Sequence, residues 1–568
     1  MKLKIHINKG LFFQVLIMCL SYIVLLYMHY SVLVDKSDIS AFAYIENICF
    51  SATDICLIFI IPTLCIKRKY YFFLLLLLLI CLFALANIWY SRYFSSYLPL
   101  SLYTEFNNLD GLSENITDAA KATDFFILTA FLAGIVCYRI LCKQLEYIRF
   151  KIRVKRAFYI GLTGILLVGI LVGNSALRWK DLTWKYVTPY NYTPVESTFQ
   201  FGIVYSYLVE SLKKANKSYS IEELKKLSPY FYVSDYVQEE CKPTNLILII
   251  VESLLSYPTE LVIDSIEITP NLNQLVKEGA YYNRHMIPQI KLGESSDGQF
   301  IYLTGLLPKR QGITINDYLD NTFISIPSLL KKENINSRMV IPTSPTMWRQ
   351  NRVCERYQID QLFSRNSYPD QKQVERWLTD EQIFNYAACI DTQSSKPFMS
   401  IILTSSTHSP YVHCVKEYPI KYPDDFSPEL KTYLSNVHYM DECLGNYLNS
   451  LKHNNLYKES IIVIVSDHQA HDFLLNAEAQ QITSLIPLYI VNSPVKISKS
   501  RDYPITQSDV YPTILDIMGI KSQWRGIGTS LLTPDSIINS QIRIERKKKE
   551  QKISNIILDS NFFSKLNN

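Results

Sequence analysis

The sequence predicts an α-helical membrane domain of five spans followed by an α/β domain with a largely parallel sheet. Three observations carry that expectation. Long apolar runs are confined to the first 177 residues. From Thr244 the chain switches to short apolar runs alternating with amphipathic stretches. Two of those short runs are followed within one or two residues by carboxylates.

The expected spans are Leu11–Val34, Ala43–Ile66, Tyr71–Tyr90, Phe125–Leu141 and Phe158–Leu177, each long enough for a bilayer core. Glu46 and Asp54 interrupt the second span, as core-facing polar residues or groups placed near the membrane surface. Lys2, Lys4 and Lys9, then Lys67–Lys69, then the loop from Lys143 to Arg156 concentrate positive charge on alternate sides. The positive-inside rule therefore places the N-terminus in the cytoplasm and everything beyond residue 178 outside. Residues 178–243 open with Trp179, Trp184, Tyr186, Tyr190 and Tyr192. Such amphipathic rings suit a water–lipid boundary, so an interfacial linker, helical in part up to about Lys225, is expected.

In the outer domain, residues 244–530, strands are expected at Leu246–Val251, Arg338–Ile341, Phe398–Leu403, Ile461–Val465 and Leu488–Val491. Helices are expected at Pro270–Glu278, Pro327–Lys332, Asp380–Ala388, Pro428–Asn449 and Ser508–Met518, several opening on the Pro or Ser that suits a helix start. Residues 531–568 form a polar, basic tail expected to lie solvated or against the membrane. The net charge of +5 in 568 residues is small and clustered beside the spans, which excludes nucleic acid as a partner. The cysteines beyond the spans, Cys241, Cys354, Cys389, Cys414 and Cys443, are scattered without a CxxC pair, so no disulfide framework is indicated.

Ligands in open α/β sheets bind beyond the carboxyl ends of the strands. Glu252 and Asp467 fall there, and His468 follows at once. A polar run of small residues, Gly293-Glu-Ser-Ser-Asp-Gly-Gln-Phe300, offers Ser295 as a nucleophile, with Ser296 as its alternate. A serine hydroxyl needs activation, and no Gly-x-Ser-x-Gly elbow is present. A divalent ion on Glu252, Asp467 and His468 would stabilise the Ser295 alkoxide and polarise a phosphoryl or sulfuryl oxygen. The mixed oxygen and nitrogen set suits Mn, Mg or Zn.

These segments, in order, resemble the alkaline-phosphatase/sulfatase superfamily, and within it the lipoteichoic acid synthase group of membrane phosphoglycerol transferases. The resemblance rests on Val251-Glu-Ser253, Gly293-Glu-Ser-Ser-Asp297, Met347-Trp-Arg349, Thr407-His-Ser-Pro410, Ser466-Asp-His468 and Ser508-Asp-Val-Tyr-Pro-Thr-Ile-Leu515, together with the spans before them. It implies an alkaline-phosphatase-like (sulfatase) fold for the outer domain. It also implies one divalent ion, manganese first, held by Glu252, Asp467, His468 and the nucleophile Ser295. His408 would serve as hydrogen-bond donor or general acid/base, and Trp348 with Arg349 or Arg352 would bind the substrate's phosphoglycerol.

The sequence departs from the group in three places. Ser295 stands where the group usually has Thr. Trp348-Arg349-Gln350 replaces its Trp-x-Arg. Gln507 falls near the position of a second-metal His, which favours a single ion. The Cys/Ser-x-Pro-x-Arg motif of true sulfatases is absent.

The implied activity is transfer of a phospholipid headgroup, phosphoglycerol from phosphatidylglycerol, through a phosphoserine. The donor lies in the outer leaflet of a bacterial cell membrane, and the acceptor is a hydroxyl on a glycan, a polymer or a lipid-linked sugar. The alternatives are a phosphoethanolamine transferase, a metal-dependent phosphodiesterase or sulfatase-like hydrolase, and a non-catalytic membrane scaffold.

Overall fold

The computed structural model describes residues 8–33, 41–65, 70–94, 97–98, 100, 103, 120–145, 148–178, 198, 202–212, 244–291, 294–309, 313–370, 377–394, 397–409, 411, 413–470, 482–534 and 541–566. Most of the expected interfacial linker, with its Trp and Tyr cluster, lies outside them. The described residues fall into two compact units, divided near residue 215.

The first unit is helical. Its long helices are Lys9–Leu33, Ala41–Cys65, Tyr71–Phe94, Ile127–Leu141 and Phe150–Arg178. Among the described residues four segments are long and apolar enough to cross a membrane: Lys9–Val32, Ile48–Cys65, Tyr71–Arg92 and Ala122–Leu141. The expected fifth span falls inside the helix Phe150–Arg178, whose side chains are described only as far as Leu167. Helix Ala41–Cys65 packs along Phe150–Arg178, and Lys9–Leu33 packs against Tyr71–Phe94 and Ile127–Leu141. Phe13, Ile17, Phe59, Phe73, Leu77 and Ile88 are buried between them.

Two acids inside this unit have partners, as groups buried away from water require. Asp124 takes both guanidinium arms of Arg92 at 2.6 Å and the Trp89 indole N–H at 3.0 Å. Asp54 is buried and accepts the main-chain N–H groups of Ile203 and Val204, at 2.8 and 3.2 Å. Its carboxylate thus caps the helix Ile203–Leu212, as anions favour helix N-termini. Gly202 (φ +84°) makes the approach feasible, since a Cβ there would lie 2.7 Å from Asp54 Oδ1.

The second unit holds a sheet of eight strands. Its strands are β1 (Asn245–Val251), a separate hairpin β2 (Val262–Ile263) and β3 (Ile266–Glu267), then β4 (Tyr281–Ile287), β5 (Asn336–Val340), β6 (Gln361–Phe363), β7 (Phe398–Leu403), β8 (Ser460–Ser466), β9 (Ile486–Val491) and β10 (Ile505–Thr506). The order across the sheet is β10-β4-β9-β8-β1-β7-β5-β6, parallel except that β9 runs antiparallel to β8 and β4. All five expected strands are present. β1 from Leu246 to Val251 and β8 from Ile461 to Val465 are apolar runs because both faces are covered. Leu246, Leu248 and Ile250 enter one core, and Ile247, Ile249 and Val251 enter the other, following the two-residue period of a strand.

The C-terminal segment differs from the solvated end its charge suggests. Residues Gln541–Ser560 and Phe562–Leu566 are helical. Ile553, Ile557, Leu558, Phe562 and Phe563 join the core around Trp524, and Ser554 Oγ bonds the Leu307 carbonyl at 2.6 Å. Apolar residues at positions 553, 557 and 558 recur at helical spacing, a pattern outweighed in the sequence by the basic run Arg546–Lys549, of which Lys548 and Lys549 are exposed.

Candidate active site

β1 and β8 are neighbours, with Val251 registered against Ser466. Their carboxyl ends therefore deliver Glu252 and Asp467 side by side. Asp467 is fixed by the main chain: its Oδ1 accepts the N–H of Ser253 at 2.8 Å and of His468 at 2.7 Å. That leaves Oδ2 facing His468 Nε2 at 3.5 Å, while Glu252 Oε1 lies 3.4 Å from the same nitrogen. The other ring nitrogen, Nδ1, donates to the Gln469 carbonyl at 2.7 Å, which presents Nε2 to the two carboxylates.

Ser295 is the first residue of a buried helix, Ser295–Thr304. Its Oγ donates to Glu252 Oε2 at 3.1 Å and lies 3.3 Å from His468 Nε2. The hydroxyl thus sits at a helix N-terminus, where free N–H groups favour developing negative charge. The helix meets the strand end through Gly298, where a Cβ would fall 2.4 Å from the Asp467 carbonyl oxygen. Gln507, near the place of a second-metal His, instead bonds the Asp467 carbonyl (2.7 Å), Tyr302 Oη (3.0 Å) and the Gln289 N–H (2.6 Å). It is a brace for the strand end.

The ligand atoms of Glu252, Asp467 and His468 lie within 4.8 Å of one another, and all three residues are buried. Burial works against the Glu252 charge, yet the nearby His468 and His408 and the bonds from His468 and Ser253 hold its carboxyl well below the usual range. Burial and the neighbouring Glu252 push Asp467 up to about 7. Burial disfavours a charged His468, but Asp467 and Glu252 outweigh it and raise the imidazole well above its ordinary value. Glu294, just before the serine, is pushed to about 8 by burial, with Asp297, Asp467 and Glu252 adding to the effect against His468. Several carboxylates thus crowd one imidazole, an environment that draws a cation. The donor set of two carboxylates, an imidazole and a hydroxyl fits a hard or borderline divalent ion.

A cavity of about 60 Å³ opens beside Ser295, Glu252 and Asp467. His408 and Trp348 line it. His408 Nδ1 donates to the Ser409 carbonyl at 2.6 Å, and Trp377 packs edge-on against the ring at 4.9 Å. Thr407 Oγ1 bonds the Glu252 carbonyl, tying this loop to the β1 end. Asp380 Oδ1 accepts from the main-chain N–H groups of Ser405 and Ser406, at 2.8 and 3.0 Å.

Arg349 and Arg352 do not line the cavity. Arg352 reaches outward to Asp320 (3.0 Å) and Glu355 (3.3 Å). Backbone geometry explains the difference: Trp348 and Arg349 both have positive φ, 48° and 52°, and the turn brings Gln350 inward. No Lys or Arg lines the cavity among the described residues. Positive φ recurs at Ser253 (50°) and Glu294 (44°), and such strain at non-glycine residues gathers at functional sites. Gln299, Gln350 and Trp377 also line the cavity. Gln299 could have been found from its spacing, four residues after Ser295 on one helix face. Trp377 carries no sequence signal.

The open α/β sheet thus presents a buried Glu, Asp and His around the hydroxyl of a helix's first residue. Residues 244–520 match the sulfatase family, and residues 1–194 match the lipoteichoic acid synthase N-terminal domain. The chain is lipoteichoic acid synthase-like in both halves. The lipoteichoic acid synthase of Staphylococcus saprophyticus is 23% identical over 501 residues, 83% of this chain and 76% of that protein. The Staphylococcus aureus enzyme is 24% identical over 498 residues, 82% and 75% of the two chains. Among solved structures, the lipoteichoic acid synthase LtaP of Listeria monocytogenes superposes with a TM-score of 0.50 at 19% identity, covering 61% of this chain and 98% of its own. The phosphoethanolamine transferase EptA of Neisseria meningitidis superposes with a TM-score of 0.57 at 13% identity, covering 90% and 96%. These two show a shared fold.

Proposed function

We propose that the chain is a membrane-anchored phosphotransferase that moves phosphoglycerol from phosphatidylglycerol to an extracytoplasmic acceptor hydroxyl through a phosphoserine at Ser295. The carrying observation is the Ser295 hydroxyl, 3.1 Å from Glu252 and 3.3 Å from His468, at a helix N-terminus beside a cavity lined by His408. The lipoteichoic acid synthase relatives support the transferase reading.

Glu252, Asp467, His468 and Ser295 would hold one divalent ion, manganese first, which when bound would lower the pKa of the hydroxyl and neutralise charge on the phosphoryl oxygens. The Ser295 hydroxyl, oriented by its bond to Glu252 Oε2, loses its proton to water as Oγ forms its bond to phosphorus. The phosphorus–oxygen bond to diacylglycerol breaks, and His408 gives the departing oxygen a proton. In the second half the neutral imidazole takes the proton of the acceptor hydroxyl, that oxygen attacks phosphorus, and Ser295 leaves and regains its proton. The membrane helices keep the chain in the bacterial cell membrane with the donor lipid, the N-terminus in the cytoplasm and the catalytic domain outside. The acceptor is a glycan, a polymer or a lipid-linked sugar.

The test is diacylglycerol release by the full chain in manganese buffer, on vesicles of phosphatidylglycerol or phosphatidylethanolamine. Release from phosphatidylglycerol that Ser295→Ala abolishes is the expected result. Release from phosphatidylethanolamine alone would replace phosphoglycerol by phosphoethanolamine as the transferred group.

A further inference from the structure

Three helices of the membrane unit enclose a groove of about 480 Å³. Leu11, Val15, Met18 and Tyr22 form one stripe down helix Lys9–Leu33, at the three- and four-residue spacing of a helix face. Ala52 and Ile160 complete the lining from helices Ala41–Cys65 and Phe150–Arg178. From Leu11 to Tyr22 the stripe runs roughly 16 Å at ~1.5 Å per residue, the depth of one leaflet of a ~30 Å hydrocarbon core. Tyr22 marks the inner end, where its hydroxyl donates to the Ile48 carbonyl at 3.1 Å. Arg156 stands half-buried at the other end. Its Nη1 donates to Gln14 Oε1 at 3.4 Å and its Nη2 to Asn8 Oδ1 at 3.3 Å, both neutral amides. No carboxylate pairs with it among the described residues. Gln14 is 1% exposed, and its Nε2 is committed to Thr63 Oγ1 at 2.8 Å. A guanidinium met only by amide oxygens at the rim of an apolar groove is uncompensated charge. Lys155 adds a second cation, its Nζ 5.9 Å over the ring of Tyr159, which also lines the groove.

We propose that this groove is a binding site for an anionic phospholipid of the cytoplasmic leaflet, one acyl chain lying along Leu11–Tyr22 and the phosphate paired with Arg156. The leaflet follows from the orientation that puts Lys9 and the loop before Arg156 in the cytoplasm. Length and charge together select the occupant. A soluble anion would leave the apolar stripe unfilled, and a zwitterionic lipid would bring an ammonium to a cationic rim. A phosphodiester of net negative charge matches the fork of the guanidinium, and Arg149, Lys151, Arg153, Lys155 and Arg156 follow one another with no acid between them. The donor lipid of the proposed reaction lies in the opposite leaflet, so this is a second lipid site. It stands whether or not Ser295 is a nucleophile. Gln14 already links the three helices, through Thr63 on one side and Arg156 on the other, and a bound lipid would extend that link along the length of the groove.

The experiment places the full chain in phosphatidylcholine vesicles doped with a photoreactive probe, with EDTA present so that headgroups stay intact. The probe is phosphatidylglycerol or phosphatidylcholine carrying a diazirine in one acyl chain, and cross-linked peptides are mapped by mass spectrometry. In wild type the phosphatidylglycerol probe should label Met18, Tyr22 and Ile160 about 5-fold more than the phosphatidylcholine probe does. That ratio should fall to near 1 in Arg156→Gln and stay above 1 in Arg156→Lys. Ala52→Trp, which fills the groove, should remove the labels there for both probes. Leu132 and Val136, exposed on helix Ile127–Leu141, report ordinary lipid contact and should stay labelled in every variant that is folded. Equal labelling of the groove by the two probes in wild type would make it ordinary bilayer contact, and that result overturns the proposal. A preference for phosphatidylglycerol that survives unchanged in Arg156→Gln, or groove labels that survive in Ala52→Trp, overturns it too.

Discussion

Glu252 and Asp467 hang from the ends of two adjacent parallel strands, and main-chain N–H groups lock Asp467 in place. In the lining of the same cavity, Trp348, Gln350 and Trp377 come from turns and helix starts outside the sheet, and they include side-chain contacts such as Gln350 to Gln299 and Trp377 to His408. One group is charged and fixed by strand ends and main-chain hydrogen bonds; the other is neutral and set by a left-handed turn and side-chain contacts. The difference teaches where chemistry and selectivity reside. The strand ends supply a fixed arrangement that suits one kind of bond-making, while the turn-built wall can change residue by residue without disturbing it.

Substitutions should separate the two sides by size of effect. Glu252→Gln removes a ligand and the carboxylate that orients the Ser295 hydroxyl, so headgroup transfer should fall by at least ~10³-fold, with bound metal lost on elemental analysis. His408→Ala, on the cavity side, should cost about 10²- to 10⁴-fold in turnover while metal content stays at the wild-type level. Equal metal loss in both variants would erase the distinction between the two sides.

Gly298→Ala probes the joint between the nucleophile helix and the strand end, where the new methyl would meet the Asp467 carbonyl at 2.4 Å. It should destabilise the domain by ~1–3 kcal/mol in denaturant unfolding, and should lower metal affinity because the helix and Asp467 can separate only together with the ligands. A fully stable Gly298→Ala would show that the joint is loose.

The smallest expected effect concerns Asp380, which holds the loop before His408. Burial pushes its carboxyl from 3.8 to about 6, against the bonds from Ser405 and Ser406. The folded protein therefore binds this proton more tightly than the unfolded chain does, so stability falls as pH rises through that window. Asp380→Asn keeps the Oδ1 acceptor and loses the charge. Its unfolding free energy should gain on wild type between about pH 4 and pH 6, by at most ~3 kcal/mol, and run parallel above. A gap that does not change with pH would mean the carboxylate is ionised at no cost.

The same contrast governs what could be seen in the sequence. Glu252, Asp467 and His468 were legible because a strand of apolar residues ending on a carboxylate has one geometric consequence, and the sheet brings its central strands together. Ser295 was legible from its small polar surroundings, although the helix it starts was not, since Ser295–Thr304 is buried on every side and shows no amphipathic period. β4 and β10 were missed because Tyr281–Ile287 carries Asn, Arg and His, and Ile505–Thr506 is two residues long. The cavity wall was the least legible. Arginine chemistry favoured Arg349 or Arg352, but left-handed backbone at Trp348 and Arg349 brings Gln350 inward instead, and positive φ at large side chains leaves no mark in composition or spacing.

The most direct test of the Ser295 centre is the intact mass of the full chain after brief exposure to phosphatidylglycerol in manganese buffer, beside Ser295→Ala. A glycerol-phosphate adduct on wild type, mapped to Ser295 and absent from the variant, is the expected result. An adduct mapped to Ser296, or one that survives in Ser295→Ala, would contradict it.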